Sequence, residues 1–130
     1  MSFKLIIAGT RFDWQDTNLD TYRNKQEIYQ LLKNEFIAVN FINEVTEIVS
    51  GTARGIDRLG EELAQEHAIP VKKFPADWNR FNKAAGPIRN REMGEYADGA
   101  LILCDGISTG SLNMFSIMQE LRKPVKKIIC

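Results

Sequence analysis

Four short segments carry the residues that could do chemistry. They are Gly9-Thr10-Arg11, Ser50-Gly51-Thr52-Ala53-Arg54-Gly55-Ile56-Asp57, Pro75-Ala76-Asp77-Trp78 and Asp105-Gly106-Ile107-Ser108-Thr109-Gly110-Ser111. Glycine lets a backbone come close to a ligand and adopt positive φ. Small hydroxyl residues beside it cap a helix or bond a phosphate oxygen. Where such a segment runs into a helix, unpaired N–H groups and the positive dipole end favour an anion. The chemistry this set predicts is recognition of a phosphate. Arg11, Arg54 and Arg58 supply cations, and Arg54 and Arg58 are one helical turn apart, so they would share a face; Arg58 is equally placed to pair with Glu62. Glycine and Ser/Thr also fill strand-to-helix turns that bind nothing. Two such loops on one sheet edge tip the balance toward a ligand.

The segment Lys72–Arg91 is basic. It holds Lys72, Lys73, Arg80, Lys83, Arg89 and Arg91 against one acid, Asp77, together with Trp78 and Phe81. Rings beside cations stack a base or support a single strand of nucleic acid. Anchoring a long loop on the core is the favoured role for at least one of these rings.

These segments need a frame that brings them to one edge, and the hydrophobic pattern supplies it. Lys4–Ala8, closed by Gly9, reads as a buried parallel strand. Asp20 to about Asn34 has the 3.6-residue apolar spacing of a helix, and Phe36–Asn43 either extends it or packs separately. Glu47–Ser50 is a second strand and Arg54–His67 a helix with Ile56, Leu59, Leu63 and Ala64 inward. Val71–Phe74 is a third strand. Lys83–Tyr96 contains a helix expected to begin after Gly86-Pro87, since proline suits a first turn. Ala100–Cys104 is a fourth strand, and Ser111–Arg122 a helix with Leu112, Phe115, Met118 and Leu121 inward. Val125–Ile129 is the last strand. This alternation predicts an α/β, Rossmann-like three-layer sandwich: a mainly parallel five-stranded sheet with helices on both faces. In such sheets ligands bind beyond the carboxyl ends of the strands, near the switch point, which is where the four segments fall.

Composition narrows the classes. The chain has 130 residues, 17 basic and 17 acidic, with a formal net charge of zero. That length predicts one domain, residues 1–130. No apolar run approaches the roughly 20 residues of a membrane span, so no membrane partner is expected. Met1–Lys4 leads directly into the first strand without a signal-peptide pattern, and a cytoplasmic location is expected. Neutrality argues against a general basic coat for duplex DNA. The zero is a sum of blocks, however, because residues 1–71 and 92–120 are acidic while 72–91 and 121–130 are basic. Cys104 and Cys130 lie in no Cys-x-x-Cys or Cys/His cluster, so neither a zinc site nor a disulfide framework is predicted. The single histidine, His67, is expected at a solvated surface position. A His-based triad is not expected, and nothing calls for a metal or a cofactor.

The motifs Ser50–Asp57, Phe74-Pro-Ala-Asp-Trp78, Ala84-Ala-Gly-Pro-Ile-Arg-Asn-Arg91 and Asp105–Ser111, in that order, resemble the YspA-like branch of the SLOG superfamily. That superfamily gathers DNA-processing protein A (Smf) and LOG-type Rossmann-like proteins. The resemblance spans almost the whole chain, and Gly9-Thr10-Arg11 is similar to the family's Gly-Ser-Arg. It implies a nucleotide or nucleotide-derived phosphorylated ligand at the Gly-rich loops, held by a sensor, a sequestering protein or a processing enzyme. Two relatives define alternatives. LOG phosphoribohydrolases, which cleave nucleoside monophosphates, carry Arg-Lys-x-x-Met, similar to Arg89-Asn-Arg-Glu-Met93, and a Glu for which this chain has Met114. A thioether can neither donate a proton nor stabilise an oxocarbenium ion by charge. Unless Glu92, Asp105 or Asp77 substitutes, that hydrolysis lacks its acid. DNA-processing protein A binds single-stranded DNA, and its Ser-Gly-Leu-Ala-Arg-Gly-Ile-Asp is close to Ser50–Asp57.

The expected site then comprises Gly9, Thr10 and Arg11 after the first strand and Ser50, Gly51, Thr52 and Arg54 after the second. Asp77 and Trp78 contact a base or sugar. Asp105, Ser108, Thr109, Gly110 and Ser111 cradle a phosphate. Arg89 pairs with that phosphate through its planar fork and is the catalytic candidate if there is a reaction. Apolar helices on both faces are compatible with a homodimer.

Overall fold

The structure is a computed structural model and describes residues 2–11 and 25–129. The beginning of the helix expected from Asp20 lies outside them, as does Cys130. Five strands alternate with helices: β1 (Phe3–Gly9), α1 (Lys25–Ile42), β2 (Val45–Ser50), α2 (Ile56–Glu66), β3 (Val71–Lys73), α3 (Trp78–Phe81), a 3-10 turn (Asn82–Ala84), α4 (Ala85–Tyr96), β4 (Gly99–Cys104), α5 (Thr109–Glu120) and β5 (Val125–Ile129). The strands form one sheet in the order β3-β2-β1-β4-β5, and every neighbouring pair is parallel. The chain therefore runs outward from β1 to β3, crosses back to β4 and runs outward again to β5. The switch point lies between β1 and β4, which pair from Leu5↔Gly99 to Gly9↔Leu103.

The two-residue period of the central strands divides the core. Leu5 and Ile7 of β1 face α1 and α2, packing with Phe36, Ile56, Leu59 and Leu63. Ile6 and Ala8 face α4 and α5, packing with Met93, Met114, Ile117 and Met118. β1 and β4 are covered on both faces, which is why they read as unbroken apolar runs.

The structure settles one open boundary and corrects three other boundaries or faces. Phe36–Ile42 continues α1, because Phe36 lies on the same buried face as Ile28 and Leu32. α4 begins at Ala85, so Pro87 sits inside its first turn, where a missing N–H costs no helical bond. α5 begins at Thr109 and buries Ser111, Met114, Ile117 and Met118, while Leu112 and Phe115 are only half-buried. His67 is half-buried, its Nδ1 3.0 Å from the Leu63 carbonyl and its ring 5.1 Å from that of Phe36.

Candidate functional site

Gly9 ends β1 at the switch point. A Cβ there would collide with the Leu103 carbonyl of β4 and approach Ile56 of α2 within 2.8 Å, so only glycine lets these elements converge. Thr10 continues the junction. Its N–H donates to the Leu103 carbonyl (3.1 Å), its carbonyl accepts from the Ile56 N–H (3.3 Å), and its Oγ1 accepts from the Asp105 N–H (3.0 Å). Between this junction, α4 and the first turn of α5 lies a cleft of about 860 Å³, within the range of small-molecule sites. A smaller lobe of about 220 Å³ adjoins it, and Arg11, Ala53, Trp78 and Arg89 border both.

Arg89 is the centre of this wall. It lies on α4 and is only 9% exposed. Its Nη1 donates to the Gly51 carbonyl, and its Nε donates to Asn90 Oδ1 at 3.0 Å. Asn90 is itself held by Asn113 Oδ1 at 2.9 Å and by the Gly110 carbonyl at 3.3 Å, which fixes the fork against α5. Among the described residues no carboxylate lies within 4 Å of the guanidinium. Burial pulls its pKa below the usual arginine range; Asp57 opposes that shift and Arg11 adds to it. Asp57, in the first turn of α2, is 5% exposed and accepts from the Ala53 N–H at 3.1 Å. Burial pushes its pKa up to about 6, although the Ala53 hydrogen bond, Arg89 and Arg11 all favour its charged form. Gly51 makes this meeting possible. A Cβ there would lie 2.7 Å from Arg89 Nη1 and 2.8 Å from Asp57 Oδ2.

The residues expected to contact a ligand separate into three groups. Gly9, Thr10, Arg11, Trp78, Arg89, Asp105, Ser108, Thr109, Gly110 and Ser111 line the large cleft. Gly51, Thr52 and Arg54 line the small lobe, where Thr52 takes a φ of 63°. Ser50 and Asp77 line neither. Ser50 is fully buried, its hydroxyl donating to Glu61 Oε2 (2.7 Å) and accepting from the Thr52 N–H (3.1 Å). Asp77 caps α3 by accepting from the Arg80 N–H at 3.1 Å.

Within the large cleft, the loop after β4 divides its tasks. Asp105 Oδ1 accepts from the N–H groups of Ile107 (3.0 Å) and Ser108 (2.9 Å), so this carboxylate closes its own loop and occupies those two donors. The first turn of α5 is different. Its N-cap, Ser108, makes no side-chain cap bond, and Ser111 donates its hydroxyl to Ser108 Oγ instead (3.3 Å). A Cβ on Gly110 would meet nothing within 4 Å, so the cleft is open there. Trp78 is 47% exposed, with the Arg11 guanidinium 5.6 Å from its ring centre, a cation–π distance. Arg91 points elsewhere, bonding Glu120 at 2.8 Å and pairing with Glu95 at 3.4 Å. Arg58 reaches the Thr52 carbonyl at 3.4 Å rather than Glu62, which pairs with Lys25.

Asp57, Lys83, Asn90 and Asn113 also line the cleft and were not among the expected contacts. Asp57 stood in the Ser50–Asp57 motif, but an acid in a helical first turn reads as a dipole partner. Met114 is buried in the cleft wall, and Glu92 is exposed outside it. Among the described residues no group of three His, Cys, Asp or Glu side chains is placed to hold a metal ion.

This fold has a counterpart among solved structures. The chain shares the fold of DNA processing protein A. The X-ray structure of DNA processing protein A from Streptococcus pneumoniae superposes with a TM-score of 0.63 over 96% of this chain, at 16% sequence identity. The chain spans half the length of that DNA processing protein A. It matches no protein-family model and no curated protein. No helix among the described residues is long and apolar enough to cross a membrane.

Proposed function

We propose that the cleft binds a nucleotide or a nucleotide-derived phosphorylated small molecule, and that the chain is a YspA-like member of the SLOG superfamily. The observation that carries the reading is Arg89. A guanidinium buried this far, with neutral hydrogen-bond acceptors and no carboxylate within ion-pair distance, leaves a cation that an anion in the adjoining cleft would compensate. Its planar fork suits two phosphate oxygens. The first turn of α5, which has no side-chain cap bond and lines the same cleft, supplies backbone donors. Trp78, half-exposed at the rim, offers a face for the base. A nucleotide carries both a phosphate and a base, matching the cation and the ring that border this cleft.

The test is release and rebinding. Mass spectrometry of the denatured protein should detect a nucleotide-type ligand, or a panel of nucleotides should raise the melting temperature. Arg89→Lys, which keeps the charge but loses the fork, and Gly110→Val, which fills open cleft, should each weaken binding at least tenfold, about 1.4 kcal/mol. No released ligand and no shift with any nucleotide overturns the reading. Incubation with nucleoside monophosphates distinguishes a binder from a LOG-like hydrolase, which would release free base; with Met114 in the cleft wall, none is expected.

A second reading follows from Trp78 and Arg11 at the rim, with Lys83 beside them: a single strand of DNA laid across the opening. It predicts binding that grows with oligonucleotide length, weakens steeply with salt and fails in Trp78→Ala and Lys83→Ala. A mononucleotide binder shows no such length dependence.

A further inference from the structure

The cleft prepared for an anion contains a buried carboxylate of the same sign. Asp57 lines it, is almost inaccessible to solvent, and shares the space over Gly51 with the Arg89 guanidinium. Its carboxylate accepts from the Ala53 N–H. The charged groups whose fields reach it are Arg89 from α4, Arg11 from the β1 junction and Glu61 from its own helix. Glu61 is engaged elsewhere, by Ser50 and by Lys73 at 3.8 Å. Among the described residues, the Ala53 N–H and the two arginines are what favour its charged form.

We propose that Asp57 is a proton-accepting member of the binding site, and that an anion entering beside Arg89 is taken up together with one proton on this carboxylate. The inference rests on the cleft being an anion site. An anion drawing on Arg89 and Arg11 weakens the field that stabilises the carboxylate and adds a like charge nearby. Both effects favour the neutral acid. Protonation removes the repulsion and leaves an O–H. The free carboxyl already titrates near pH 6, so little further shift is needed for it to hold a proton near neutrality. The proton comes from solvent, and no covalent bond is made or broken apart from that O–H. Recognition would then favour anions at mildly acid pH, and the affinity of a ligand that does not itself titrate would carry the signature of Asp57.

The experiment therefore uses probes whose own charge is constant between pH 5.5 and 7.5: sulfate and a nucleoside 3′,5′-cyclic monophosphate. Titration calorimetry of the unmodified chain in two buffers of different ionisation enthalpy counts the protons taken up. The expected result at pH 7 is a net uptake of about 0.4 to 0.8 of a proton, as one to two further units on a carboxyl near 6 give. Affinity should rise about tenfold from pH 7.5 to 5.5, as expected if the bound anion raises the carboxyl by one to two further units. Asp57→Asn, which keeps an acceptor for the Ala53 N–H, should abolish both the uptake and the pH dependence. It should also bind more tightly than the unmodified chain at pH 7.5. Binding with no proton uptake, or a pH dependence that survives in Asp57→Asn, overturns the inference while leaving the anion site in place. Failure of these probes and of every nucleotide at all pH values overturns the site itself.

Discussion

At the scale of single residues, the cleft wall trades stability for charge. Asp57 binds its proton more tightly in the folded chain, near pH 6, than at the ordinary 3.8. The stability this group contributes is therefore complete below about pH 4 and is lost as pH rises through 6. Asp57→Asn removes that loss. It should stabilise the protein by about 2–3 kcal/mol at pH 7.5 and change little at pH 4, as read by urea unfolding at the two pH values. A gain of equal size at both would show that charge is not its source. Arg89, two acceptors and Gly51 form the other half of this arrangement. Arg89 was legible through the resemblance of Arg89-Asn-Arg-Glu-Met93 to a family motif. Asp57 was not, because its burial depends on α2 seating its first turn under the β2 loop.

At the scale of elements, glycines set how closely helices approach the sheet. Gly60 of α2 faces Ile7 of β1, and a Cβ there would lie 2.8 Å from both the Cβ and Cγ2 of Ile7. Those are branch-point atoms of a rigid side chain, so the helix itself must move. Gly60→Ala is expected to cost about 1–3 kcal/mol despite its better helix propensity, as measured by chemical denaturation. An unchanged or raised stability would mean that α2 shifts without strain. The strand–helix alternation was readable because strands buried on both faces are unbroken apolar runs and helices keep a 3.6-residue stripe. The start of α4 was not, since proline is tolerated at any of the first-turn positions and only packing chose among them. The inward face of α5 was misread for a related reason. Its apolar residues spread over more than one stripe, and contact with Met93 and the sheet decided that Met114 and Ile117, not Leu112 and Phe115, go inside.

At the scale of the whole molecule, the described surface carries exposed apolar side chains that line neither lobe of the cleft. Ile37, Phe41 and Ile42 at the end of α1 are exposed, Phe41 by 91%. Phe41→Glu should leave folding stability within about 0.5 kcal/mol of the original, because the ring has almost no contacts to lose. If a homodimer uses this surface, the same substitution abolishes the concentration dependence of sedimentation; a substantial loss of stability would instead place the ring in the core. The charge blocks also act at this scale. A neutral molecule can gather Arg11, Arg89 and Lys83 around one cleft that also holds Asp57 and Asp105, because many of its other acids are engaged away from it: Glu62 and Glu66 pair with α1 lysines, and Glu120 with Arg91.

The order of the elements, the parallel sheet and the edge on which a ligand would sit were determined by sequence alone. Each is a consequence of local periodicity and of the short connections between strands and helices. Which residues of the glycine-rich segments face the cleft was decided only by the tertiary structure. Ser50 and Asp105 have the chemistry of ligand contacts, yet one is held by Glu61 and the other closes its own loop. A polar side chain bonds whichever partner the packed fold brings nearest, and Glu61, Asp57 and Arg89 come within reach of the β2 loop only when α2 and α4 close over the two faces of the sheet.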